Sequence, residues 1–245
     1  MDKNQIALLT TLLLGIFILI GILITYIFNK KNNIVNFSIG LAFSVIIMLI
    51  VTDLLPEIME EIELSKIYIF IICTALGFYI LRVLDHFIPD HNDSDNEDNL
   101  IHIGVMTSLA LGIHNVIEGM AIYSSVISDA KLGLALTIGV GFHNIPLGMV
   151  IGGTLHQAKE DKYKTIIYIL LVTLSTFAGG LVMYFANTSE LNSLVDGILL
   201  SCTLGMLMFI LIDELFPRVI KNIKNKYMIT GIILGIVLLS ISMLF

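Results

Sequence analysis

Gly112-Ile113-His114-Asn115-Val116-Ile117-Glu118-Gly119-Met120 and Gly141-Phe142-His143-Asn144-Ile145-Pro146-Leu147-Gly148-Met149 are two copies of one pattern, with Gly, His, Asn, Gly and Met in step. Each copy sits inside an apolar run long enough to cross a bilayer, which takes about 20 residues. A charged side chain at that depth costs about 2.5–3.5 kcal/mol on insertion scales, so polar groups there mark a functional site by default. Two such stretches in neighbouring helices imply one shared polar centre.

Outward from this pair the chain stays apolar. It has 245 residues, 57% hydrophobic and 13% charged, with a mean hydropathy of +0.95. Soluble domains carry about 25% charged residues. The expected fold is therefore an all-α integral membrane protein with eight transmembrane helices. They fall at roughly 5–28, 34–58, 66–88, 101–126, 131–156, 165–186, 193–217 and 227–245. The connections are short, so residues 1–245 read as a single transmembrane domain. Its longest polar stretch is a short acidic loop over 89–100. The first apolar run is too long for a signal peptide and reads as span 1. Cys73 and Cys202 lie in different runs without metal spacing and read as packing residues. A net charge of −7 spread over loops and helix ends excludes a basic nucleic-acid surface.

Lys and Arg orient the spans. Of the 13, only Lys3, Lys66 and Lys131 lie outside the side that holds the loops after spans 1, 3, 5 and 7. The expected topology has both termini extracytoplasmic and the acidic loop cytoplasmic. Spans 4 and 5 then run in opposite directions, with His114 and His143 each near mid-span. This is what inverted-repeat symmetry predicts. Asp53-Leu54-Leu55-Pro56 on span 2 and Glu214-Leu215-Phe216-Pro217 on span 7 repeat the same relation. Read plainly, each is an acid and a proline ending a helix at an interface, with Asp53 near the outer face and Glu214 near the cytoplasmic one.

His114 and Glu118 are four apart and share one helix face. His143 comes from the facing helix, and Asn115 and Asn144 bring amide oxygens. Two imidazoles, a carboxylate and amides suit a borderline divalent ion: Zn²⁺ first, then Fe²⁺ or Mn²⁺. The candidate metal residues are His114, Asn115, Glu118, His143 and Asn144. Asp53, Met48, Glu214, His156 and His86 are candidates along a pathway, and His102 reads as interfacial. Small residues repeating every four positions, such as Gly104, Ser108 and Gly112 on span 4, read as helix-packing contacts.

On these residues the chain resembles the ZIP family of divalent metal transporters, bacterial type, over essentially its whole length. The resemblance rests on His114-Asn115-x-x-Glu118-Gly119, on His143-Asn144-Ile145-Pro146-x-Gly148, on the two acid-Leu-x-Pro motifs and on the acidic, His-containing loop. It implies transport of a divalent cation into the cytoplasm across a bacterial plasma membrane, with no enzymatic activity. It also implies two helix bundles that shift against each other, spans 1, 4, 5 and 6 carrying the metal. The bilayer is the expected partner, and a homodimer is an expected assembly. Two departures stand out: Leu147 and Gly179 occupy places where the family carries carboxylates of a second, adjacent metal position, which predicts a single metal site. Two other readings are carried: an intramembrane zinc hydrolase, which lacks an HExxH motif or a third midplane histidine, and a non-transporting metal receptor.

Overall fold

A computed structural model of the chain describes residues 2–28, 33–62, 64–87, 97–157, 162–188 and 192–242. Among them the fold is helical throughout. In order the helices are α1 (Lys3–Phe28), α2 (Asn33–Glu61), α3 (Ile67–Phe87), α4 (Glu97–Ser128), α5 (Ala130–Gln157), α6 (Lys162–Ala186), α7 (Ser193–Asn222) and α8 (Lys226–Ser242). The first seven are long and apolar enough to cross a membrane, and α8 is a shorter apolar helix of 17 residues. The chain is a multi-pass membrane protein. In apolar surroundings each backbone N–H and C=O must be satisfied within the protein, and helices do this alone. Buried hydroxyls follow the same rule: Ser44, Ser108, Thr154 and Ser201 each donate to the carbonyl four residues back.

The helices pack as two groups. In one, α1 lies against α5 and α6, and α4 against α5 and α6; in the other, α2 lies against α8, and α3 against α7. Between the groups, α2 meets α5 and α4 meets α7. Exchanging α1 with α6, α2 with α7, α3 with α8 and α4 with α5 maps the main packing pairs onto each other, as the inverted repeat requires. The closest crossings use glycines at reciprocal places. A Cβ on Gly119 would run into the Thr176 carbonyl, and one on Gly179 into the Val116 carbonyl, so α4 and α6 touch backbone to backbone. Gly77 meets Cys202 and Gly205 meets Thr74 in the same way between α3 and α7. Small residues are what allows such approach in a membrane. Of the stripe Gly104, Ser108 and Gly112, Gly104 abuts Leu155 and Thr154, whereas Gly112 has open space beside it.

Three sequence expectations are corrected. Pro56 and Pro217 do not end their helices. Each follows a π-helical turn, Ile50–Leu54 in α2 and Ile210–Leu215 in α7, and the helix then continues to Glu61 and Asn222. Proline lacks an N–H and crowds the carbonyl four residues back, and a widened turn relieves that crowding without breaking the helix. Asp53 therefore sits within α2, eight residues before its end, and not at a helix terminus. The segment assigned to the acidic loop is helical from Glu97; Asp90 and His91 lie outside the described residues.

We expect Gly179→Ala to force α4 and α6 apart at a cost of about 1–3 kcal/mol, lowering the melting temperature by about 2–4 °C per kcal/mol. Gly112→Ala should leave it unchanged. Thermal unfolding of the detergent-solubilised protein tests both.

Candidate metal centre

α4 and α5 are joined at Asp129, whose carboxylate accepts from the backbone N–H of Lys131 and Leu132 and so caps α5. This tight reversal lays the two motifs side by side. Their side chains converge: the ligand-type atoms of His114, Glu118 and His143 all lie within 4.8 Å of one another. Nε2 of His143 is 2.9 Å from Oε1 of Glu118, and Nε2 of His114 is 3.6 Å from the same oxygen. The amide of Asn144 donates to the other carboxylate oxygen at 3.2 Å. Asn115 donates to the Val172 carbonyl of α6 at 3.4 Å. Of the five residues expected to hold a metal, His114, Glu118, His143 and Asn144 meet in one cluster, while Asn115 turns its amide nitrogen toward α6.

The centre is buried and under-satisfied. His114 and His143 are 6% and 4% exposed, and Asn115 and Asn144 are 1% and 0% exposed. Nε2 of His114 and the side-chain oxygens of Asn115 and Asn144 are buried with no hydrogen-bond partner. An unpaired buried polar atom costs about 1–3 kcal/mol, and the orphaned His114 Nε2 beside the Glu118 carboxylate calls for a cation. Donors bound tetrahedrally at about 2.0–2.2 Å stand roughly 3.3–3.6 Å apart, a spacing that the two imidazole–carboxylate distances bracket. The residues fit a divalent ion as cargo.

The departures have a structural form. Leu147 is 1% exposed within the main apolar core. Gly179 is pressed against the Val116 carbonyl, so any side chain there would separate α4 from α6.

The pathway candidates divide. Asp53 accepts from Thr52 at 2.7 Å, and its charge reaches His114. It belongs to a row of carboxylates absent from the sequence reading: Glu57 lies within the fields of Asp196, Asp53, Glu61 and Glu118, and Ser193 of α7 donates to Glu61. A helical spacing of acids on α2 was the signal that could have found them. Glu214 is buried at 9% exposure and accepts with Asp85 from His102: Nε2 of His102 is 2.6 Å from Asp85 and 3.2 Å from Glu214. His102 is buried within the protein, where α3 and α7 supply carboxylates that sequence proximity does not reveal. This second trio also has metal-ligand spacing. His86 and His156 are not drawn in; they are exposed and lie beside the rings of Phe87 and Tyr26. Met48 packs against the apolar core.

A family model described as ZIP Zinc transporter matches residues 89–243. The chain belongs to the ZIP zinc transporter family. It is 28% identical to "Zinc transporter ZupT" of Streptococcus mutans, an alignment covering 97% of this chain and 96% of that one. It is 29% identical to the protein of the same description from Clostridium perfringens, over 100% and 97%. Members of the ZIP family are transporters, not enzymes, which removes the hydrolase alternative.

Removing one partner of a buried charged pair strands the other, at about 3–5 kcal/mol. We expect His102→Leu to destabilise the protein by that order, and His102→Leu/Glu214→Leu to recover most of the loss. Thermal unfolding of the two variants distinguishes them.

Proposed function

We propose that the chain carries Zn²⁺ across a bacterial plasma membrane into the cytoplasm, through a single midplane site of His114, Glu118 and His143 with Asn115 and Asn144 alongside. The observation that carries this reading is the buried, partnerless Nε2 of His114 beside a carboxylate that His143 also faces. Fe²⁺ and Mn²⁺ fit the same donors less specifically.

In this reading the termini are extracytoplasmic and the carboxylate row of Glu61, Asp196, Glu57 and Asp53 draws the cation inward. Glu118 binds it first as an anion, and the two imidazoles then replace its waters. The trio of Asp85, His102 and Glu214 lies about 18 Å further along α4, the rise over the twelve residues from His102 to His114, and receives the ion on its way out. Movement of the α1, α4, α5, α6 group against the other exposes the centre to each side in turn. All donors come from one chain, so a homodimer would repeat the centre and not complete it.

We expect zinc uptake into proteoliposomes to fall by about tenfold or more in His114→Ala and in His143→Ala, the loss that even an outer partner of a metal ligand causes. Equal uptake in all three proteins would contradict the reading. Protonated imidazole cannot bind metal, so zinc affinity should fall on acidification. A pH titration of binding that shows no loss of affinity at any acidic pH where the protein stays folded would contradict an imidazole site. Metal analysis should find one midplane ion per chain, and Leu147→Glu is the variant that should raise that number.

A further inference from the structure

A crevice of about 640 Å³ separates the two helix groups on the outside of the protein. Ile24 and Met149 form one wall and Phe37 and Leu238 the other, with Asn33 and Tyr227 at one end. The walls belong to α1 and α5 on one side and to α2 and α8 on the other. Asn33 is the first residue of α2, and Tyr227 is the second of α8, so the polar end lies at the level of helix termini. From Tyr227 to Leu238 is about 16 Å at the helical rise, close to half of a hydrocarbon core about 30 Å thick. The crevice thus has the length of one leaflet.

Its polar end is basic. Nζ of Lys226 lies 5.1 Å from the centre of the Tyr227 ring, and Lys221 and Lys224 are exposed on the same segment. The sequence just before α2 is Asn29-Lys30-Lys31-Asn32. Among the described residues, the stretches of the four lining helices that approach this end, 20–28, 33–49, 140–157 and 216–242, contain no Asp or Glu. Cations gathered at the membrane-surface end of an apolar, leaflet-long slot match an anionic headgroup above an acyl chain. A zwitterionic lipid would place its ammonium against the same lysines, and a second protein copy would need a complementary acidic face.

We propose that this crevice is a binding site for one anionic phospholipid, its acyl chain between the helix groups and its phosphate at Lys224, Lys226 and Tyr227. A lipid seated there touches both groups at once, so a sliding of one group against the other must reshape its site. The site stands on the packing and charge alone and is independent of the transport reading.

The chain contains no tryptophan, so a single Phe37→Trp substitution provides a local reporter, with Tyr227→Trp as a second should the first fail to fold. Ile233→Trp, on the same helix but 57% exposed, reports bulk lipid. Each full-length variant is reconstituted with brominated phosphatidylglycerol diluted into phosphatidylcholine, and in the reverse arrangement. We expect half-maximal quenching of Phe37→Trp at about a fivefold lower fraction of brominated phosphatidylglycerol than of brominated phosphatidylcholine, with no preference at Ile233→Trp. Adding Lys224→Glu and Lys226→Glu should abolish the preference. Equal quenching by both lipids at both reporters would overturn the proposal in favour of ordinary bulk lipid. Absence of quenching at Phe37→Trp by either lipid, with crosslinking between two chains there, would overturn it in favour of a second copy.

Discussion

Glu118 is a carboxylate held in the apolar middle of a helix pair, and the arrangement around it follows from the cost of keeping it there. A lone ion at that depth is expensive, and a buried pair is tolerated only when its remaining lone pairs and protons are matched. His143 and Asn144 take one oxygen each. Both come from α5, which fixes that helix against α4 in rotation and in depth. The Asp129 cap holds the reversal that makes this register reachable. His114, one turn before Glu118, is left facing the same oxygen without bonding to it. A site built this way is preorganised but not satisfied, which is what a passing cation requires: an ion bound as tightly as a structural zinc would not leave.

The same economy explains why the second position differs. α4 also contacts α6, through Gly119 and Gly179 with backbone against backbone. A carboxylate at 179 would need both space and a counter-charge, and the packing provides neither. Leu147 completes the change by placing an apolar side chain in the core beside the motif. A small residue at 179 and an apolar one at 147 are thus what this helix packing accommodates. Other acids of the described helices lie toward the C-terminal end of α2 and the N-terminal end of α7, at Asp53, Glu57, Glu61 and Asp196, and around His102.

Much of this was legible in the sequence, for physical reasons. Hydropathy determines the spans because the bilayer imposes one length on all of them, and the repeated His-Asn pairs stand out because polar groups are rare at that depth. The helix ends of α2 and α7 were misjudged at Pro56 and Pro217, since a proline reads as a stop unless a π-helical turn absorbs it, and that choice is made by tertiary packing. The burial of His102 is not legible because its partners, Asp85 and Glu214, lie on helices distant in sequence. Asp53, Glu57 and Glu61 are four apart on α2 and legible as one face, but Asp196 joins them only because α7 packs alongside.

Everything above turns on one cation held between α4 and α5 by two imidazoles and one carboxylate. Anomalous diffraction at the zinc absorption edge from zinc-loaded crystals tests it most directly. The account predicts one midplane peak, about 2.0–2.2 Å from Nε2 of His114, Nε2 of His143 and an oxygen of Glu118. Two midplane peaks, or a peak that His114 and His143 do not share, would contradict it.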